Sequence, residues 1–61
     1  DPFGVVDDYK TLQDFRDWAE KVFIERKLVQ NGWNVAKTAQ EIDIQRSHLY
    51  NKIEKYSLKR R

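Results

Sequence analysis

The 61-residue sequence has no cysteine, no methionine, one histidine, one proline and two glycines. Without cysteine there is no disulfide framework and no thiolate metal site, and His48 alone cannot build an imidazole one. No apolar run approaches the roughly 20 residues of a membrane span, and no signal-peptide core is present. A glycine-rich phosphate loop and a His-Glu-x-x-His helix are both missing. These absences lead to the expectation of a non-enzymatic chain with no cofactor, no metal and no membrane partner. The chain opens Asp1-Pro2-Phe3-Gly4 without an initiator methionine, which reads as the cut edge of a longer polypeptide.

A chain of this length is one small domain with a modest core, so a contribution from oligomerisation is expected. The formal net charge is only +2, but it is unevenly spread. Residues 1–34 carry five basic and seven acidic side chains, whereas residues 35–61 carry seven basic and three acidic. The second half is therefore the one a polyanion would choose, although a charge run of this kind is also what a solvated face looks like.

Residues 1–10 hold the proline and one glycine, and Phe3, Val5 and Val6 lack helical spacing, so they read as a lead-in or linker. A domain spanning residues 11–61 follows. Thr11 is a good N-cap and Asp14 an acidic first-turn residue, which predicts a long helix over about 12–31, with Asn31-Gly32 as its stop. At 100° per residue, Leu12, Phe15, Trp18, Ala19, Val22, Phe23 and Val29 share an arc of about 140°, while Ile24 and Leu28 lie roughly opposite. Two stripes imply two partners. One is expected to be the chain's own C-terminal half and the other a second copy, giving a homodimer through Leu12, Phe15, Trp18, Ala19, Val22 and Phe23. The alternative is that residues 1–10 fold back over the broad stripe, or that its aromatics form the core. The acidic residues of this helix read as its solvated face, and Glu25, near an apolar stripe, carries no chemistry.

Asn34 is a second N-cap, and Val35, Thr38, Ala39 and Ile42 mark one face of a short helix over about 35–42. A third helix is expected over about 46–56, with Leu49, Ile53 and Tyr56 on its inner side. Two short helices joined by about three residues suggest a helix-turn-helix. In that unit Ala39 is small at a close crossing, and Asp43 takes a turn position that is often left-handed. Ile44 and Leu49 plug the angle between the helices. A bland three-helix domain fits the same spacing.

The run Asn34-Val35-Ala36-Lys37-Thr38-Ala39, then Ile44-Gln45-Arg46-Ser47-His48-Leu49-Tyr50-Asn51-Lys52-Ile53 and Lys55-Tyr56, resembles the Fis-type helix-turn-helix. That unit closes NtrC-type sigma-54-dependent transcriptional activators, including NtrX-like response regulators of two-component systems. The resemblance covers about residues 12–58 and is most specific over 44–56. It implies an all-α, dimeric, double-stranded-DNA-binding domain acting on palindromic sites in the bacterial cytoplasm, associated with the nucleoid. It further implies an ATPase domain upstream, which would engage the sigma-54 polymerase. Four positions depart from the family's pattern. Asp43 and Ser57 stand where glycine is usual, Gly32-Trp33 replaces a doubled glycine, and Gln45 replaces a serine or asparagine cap.

Within a helix-turn-helix the outward side of the third helix meets the major groove, its N-terminal residues deepest. Ser47, His48, Asn51 and Lys55 are expected to point outward. Arg46 offers two donors to a guanine edge and Asn51 an amide to adenine. Arg46, Ser47, His48 and Asn51 are therefore the expected base contacts. Lys37, Gln45, Tyr50, Lys52, Lys55, Lys59, Arg60 and Arg61 are assigned to phosphates, with Tyr50 alternatively packing on the first helices. Two rival functions remain open: a free-standing Fis-like architectural protein, and a three-helix protein-interaction module.

Overall fold

The computed structural model describes residues 1–60, which form an all-α domain; Arg61, one of the expected phosphate contacts, lies outside the described residues. A short 3-10 turn at Val6–Asp8 precedes α1 (Leu12–Gln30), α2 (Val35–Glu41) and α3 (Arg46–Lys55), with no strand among the described residues. Thr11 caps α1 by accepting from the Asp14 N–H at 3.0 Å. Asn34 caps α2 by accepting from the Lys37 N–H at 3.0 Å. Gln45 precedes α3 in an extended conformation and makes no capping bond through its side chain.

All three helices stop by the same device, one residue before the sequence spacing suggests. The caps are Asn31, Ile42 and Tyr56, and each is followed by a residue with positive φ: Gly32 (59°), Asp43 (61°) and Ser57 (53°). The next residue turns its N–H back onto the helix: Trp33 onto Leu28 O at 2.7 Å, Ile44 onto Ala39 O at 3.0 Å, Leu58 onto Ile53 O at 3.0 Å. This is the Schellman geometry, which satisfies carbonyls the helix end would otherwise strand. In each case the residue donating that bond is apolar and lands on the core. The helix ends and the core are thus specified together.

That core is small: Ile24, Leu28, Ala39, Leu49 and Leu58, with Trp33, Val35, Ile42, Ile44, Ile53 and Tyr56 packed around it. Leu28 and Leu49 are both 0% exposed, and each such leucine contributes about 1.5–3 kcal/mol through burial. Leu58 is 6% exposed, so the segment after α3 is docked rather than trailing, a contact that helical spacing does not reveal because Leu58 lies beyond the helix. Thr38 is fully buried as well, its hydroxyl donating to Asn34 O at 2.8 Å and accepting from Asn31 Nδ2 at 3.2 Å.

The narrow stripe of α1 faces this core and the broad one does not. Ile24 and Leu28 are buried, whereas Leu12, Val22, Phe23 and Val29 are exposed and Phe15, Trp18 and Ala19 half-buried. The lead-in is not purely a linker. Tyr9 stacks on Phe15 and Trp18, with ring centroids 5.9 and 5.5 Å apart, so the chain does fold back over part of the broad stripe. That cover ends at Trp18.

Candidate nucleic-acid interface

α2 and α3 meet at the turn Asp43-Ile44-Gln45. The left-handed Asp43 reverses the chain, Ile44 drops into the angle, and Ala39 and Leu49 close it from either helix. This packing fixes which side of α3 is free. Leu49, Ile53 and Tyr56 face inward, as their spacing predicts, while Arg46, Ser47, Tyr50 and Asn51 are exposed along the first turns of α3. Tyr50 is 54% exposed and so does not pack on the first helices. Gln45 and Lys37 are exposed on the same α2–α3 unit, and Lys59 and Arg60 are exposed after Leu58.

His48 is exposed, at the edge of the outward group. It borders a groove of about 290 Å³ lined by Glu20, Phe23, Ile24, Ile42, Ile44 and Lys52, on the side of α3 that faces α1. The reason is angular. Measured from the direction opposite Leu49, Ile53 and Tyr56, His48 is rotated by about 75° around the helix, toward the α1 side.

Lys52 and Lys55 depart further from expectation. Lys52 Nζ is paired with the Glu20 carboxylate. Lys55 Nζ lies 3.6 Å from Asp17 Oδ1 and 5.2 Å from the centre of the Tyr56 ring. Both charges are paired to carboxylates of α1, Lys52 from a partly buried position and Lys55 while its side chain stays about half exposed. Asp17 also accepts from Gln13 Nε2 at 2.9 Å and from the Tyr56 hydroxyl at 3.4 Å. The hydrogen bond from Gln13, with Lys55 nearby, holds the Asp17 carboxyl below its ordinary range. The bond from Lys52 does the same for Glu20. Lys55 is raised, by the adjoining Tyr56 oxygen first and then by Asp17.

Asp17 and Glu20 are therefore not part of a solvated acidic face. Both are half-buried, and they join α1 to the recognition unit. The signal was present in the sequence. At 100° per residue Asp17, Glu20, Ile24, Leu28 and Asn31 share an arc of about 80°, so any element packed on Ile24 and Leu28 meets both carboxylates. At the C-terminal end of the helix Asn31 Nδ2 reaches Lys27 O, Thr38 Oγ1 and Glu41 Oε2 at 3.1–3.2 Å, tying α1 to α2. Lys27 adds an ion pair to Glu41 at 3.6 Å. Glu25, to which no chemistry was assigned, is half-buried and lines a shallow groove with Val29, Trp33, Lys59 and Arg60.

A long helix carrying a helix-turn-helix, with a polar outer face on the third helix, is the arrangement the family comparison bears on. The family model described as bacterial regulatory protein, Fis family, matches residues 16–56. The chain belongs to this family. Among curated proteins and solved structures, none matches the chain. The match runs from early in α1 to the cap of α3, so the part of α1 that carries Asp17 and Glu20 lies within the Fis-family unit. The family is a DNA-binding one rather than a catalytic one, and this domain is a helix-turn-helix that binds double-stranded DNA. Among the described residues no group of three or more histidine, aspartate or glutamate side chains is placed to hold a metal. No helix among them is long and apolar enough to cross a membrane.

Proposed function

We propose that this Fis-family domain binds DNA as a homodimer and reads a palindrome, within a sigma-54-dependent transcriptional activator of the NtrC type. The observation that carries sequence-specific binding is the exposure of Arg46, Ser47 and Asn51 together on the first turns of α3. In a major groove, Arg46 donates to the O6 and N7 of guanine and Asn51 pairs with adenine. Ser47 and His48 add contacts at the rims, His48 from the α1 side. Lys37, Gln45, Tyr50, Lys59, Arg60 and Arg61 bind phosphates and set the register.

Pairing through α1 is supported by the apolar surface the monomer leaves open. Val22 and Phe23 are 44% and 51% exposed, and they adjoin Leu12, Phe15, Trp18 and Ala19 on one side of the helix. A twofold axis there sets two copies of α3 about 34 Å apart, one turn of duplex. The NtrC-type setting in the bacterial cytoplasm, with an upstream ATPase domain, rests on the likeness of residues 44–56 to the units that close such activators.

Selection of bound sequences from a random duplex pool tests this. A palindrome with half-sites about one turn apart is the expected product, and enrichment of single half-sites would reject the dimer. No enrichment at all would reject sequence reading. For the interface, Val22→Glu with Phe23→Glu should sediment as a helical monomer. These positions suit the test better than Phe15, which stacks on Tyr9 and Trp18 within the monomer.

A further inference from the structure

The cations of α3 are not equivalent. Arg46, at its N-terminal end, has no ion pair among the described residues, whereas Lys52 and Lys55, toward its C-terminal end, are both paired to carboxylates of α1. Those carboxylates are held in place. Asp17 is fixed by Gln13 at 2.9 Å and by the Tyr56 hydroxyl at 3.4 Å, and Glu20 sits half-buried beside Ile24. A carboxylate in this position offers a lysine what a DNA phosphate offers: an anionic oxygen at ion-pair distance.

We propose that Asp17 and Glu20 act as internal substitutes for DNA phosphate, keeping Lys52 and Lys55 on α1 and confining the cationic footprint of the recognition helix to its N-terminal end. This rests on the DNA-binding reading above and adds to it a limit on sequence-independent affinity. Phosphate contacts strengthen binding to every duplex alike and steepen its salt dependence. Two lysines withheld from the backbone remove two such contacts. They also leave α3 to enter the groove by the end that carries Arg46, Ser47 and Asn51, so the contacts that remain are weighted toward base edges.

The test is the salt dependence of binding of the 61-residue chain to a random-sequence duplex, followed by fluorescence anisotropy. Each cation released to a phosphate adds about 0.9 to the slope of log K against log salt, roughly a threefold greater loss of affinity between 50 and 200 mM. Asp17→Asn with Glu20→Gln should steepen the slope by up to two such steps and tighten binding at low salt. Asp17→Asn alone should add one, and it serves if the double variant loses its helical circular dichroism. Asp14→Asn removes a carboxylate from the same helix with no lysine attached, and should leave the slope as it was. Lys55→Met should also leave it unchanged, because that charge is already spoken for.

An unchanged slope in Asp17→Asn, an equal steepening in Asp14→Asn, or a slope flattened by about 0.9 in Lys55→Met would overturn the proposal. Failure of the parent chain to bind any duplex at low salt is a different result. It would overturn the DNA-binding reading itself.

Discussion

Asn31, the cap of α1, donates through Nδ2 to the hydroxyl of Thr38 at 3.2 Å, and that hydroxyl donates onward to Asn34 O at 2.8 Å. One amide thereby joins the end of the long helix to a fully buried position in α2, and Lys27 O and Glu41 Oε2 accept from the same nitrogen. The two partners are not equally costly to lose. Asn31→Ala removes the three bonds from Nδ2, leaves the one from Thr38 to Asn34 O, and should cost about 1–2 kcal/mol, while Thr38→Val leaves Asn31 two acceptors and should cost about 1 kcal/mol. Urea unfolding measures both. A larger loss for Thr38→Val would show that the hydroxyl, and not the amide, holds the junction.

Asp43 occupies a left-handed backbone conformation with φ of 61°, where glycine is strain-free and a Cβ is not. Aspartate tolerates the region better than alanine because its short side chain bonds locally. Asp43→Gly should therefore stabilise the domain by about 0.5–1 kcal/mol, and Asp43→Ala should destabilise it. Both substitutions remove the same charge, so the difference between their thermal melts isolates the backbone. Equal melts would mean that the turn carries no strain.

Acid should loosen the join between α1 and α3. The bond from Lys52 lowers the Glu20 carboxyl, and that from Gln13, with Lys55, lowers Asp17, so both protonate more readily in the unfolded chain. As pH falls from the ordinary carboxylate range through the lowered folded values, the unfolded state takes up more protons and stability is lost; above that range the contribution is complete. Glu20→Gln should lower the melting temperature at pH 7 and flatten its fall toward pH 3. A fall as steep as in the parent chain would assign the acid sensitivity elsewhere.

Arg46 stands exposed at the start of α3 with no ion pair among the described residues. Arg46→Ala should cost about 1–3 kcal/mol on a selected site and relax preference at one base pair. On random duplex the loss should be smaller. Equal losses on both would move Arg46 from base reading to phosphate contact.

Much of this domain is written locally. Thr11 and Asn34 start α1 and α2 through side-chain bonds confined to the first turn, so their effect can be read without knowing the fold. Leu49, Ile53 and Tyr56 repeat at helical spacing, which is enough to orient α3 and to predict that Ser47 and Asn51 face away from the core; Arg46 shares the angular sector of Ile53 and is exposed because it is the first residue of the helix. His48 and the two lysines were harder to place, since rotation about one helix does not say what lies beside it. The core role of Leu58 was hidden for a related reason: it follows the helix, and only the Schellman turn at Ser57 directs it inward.

The sequence by itself determined the three helices, their starting caps, the left-handed turn at Asp43 and the inward face of α3, because each depends on interactions within a few residues. Tertiary structure decided which stripe of α1 is buried. Only when α2 and α3 pack on Ile24 and Leu28 do Asp17 and Glu20 meet Lys55 and Lys52, residues more than 30 positions away. The charge that composition credits to the C-terminal half is thereby partly neutralised. Composition records how many cations a segment holds, whereas packing determines which of them have already met an anion.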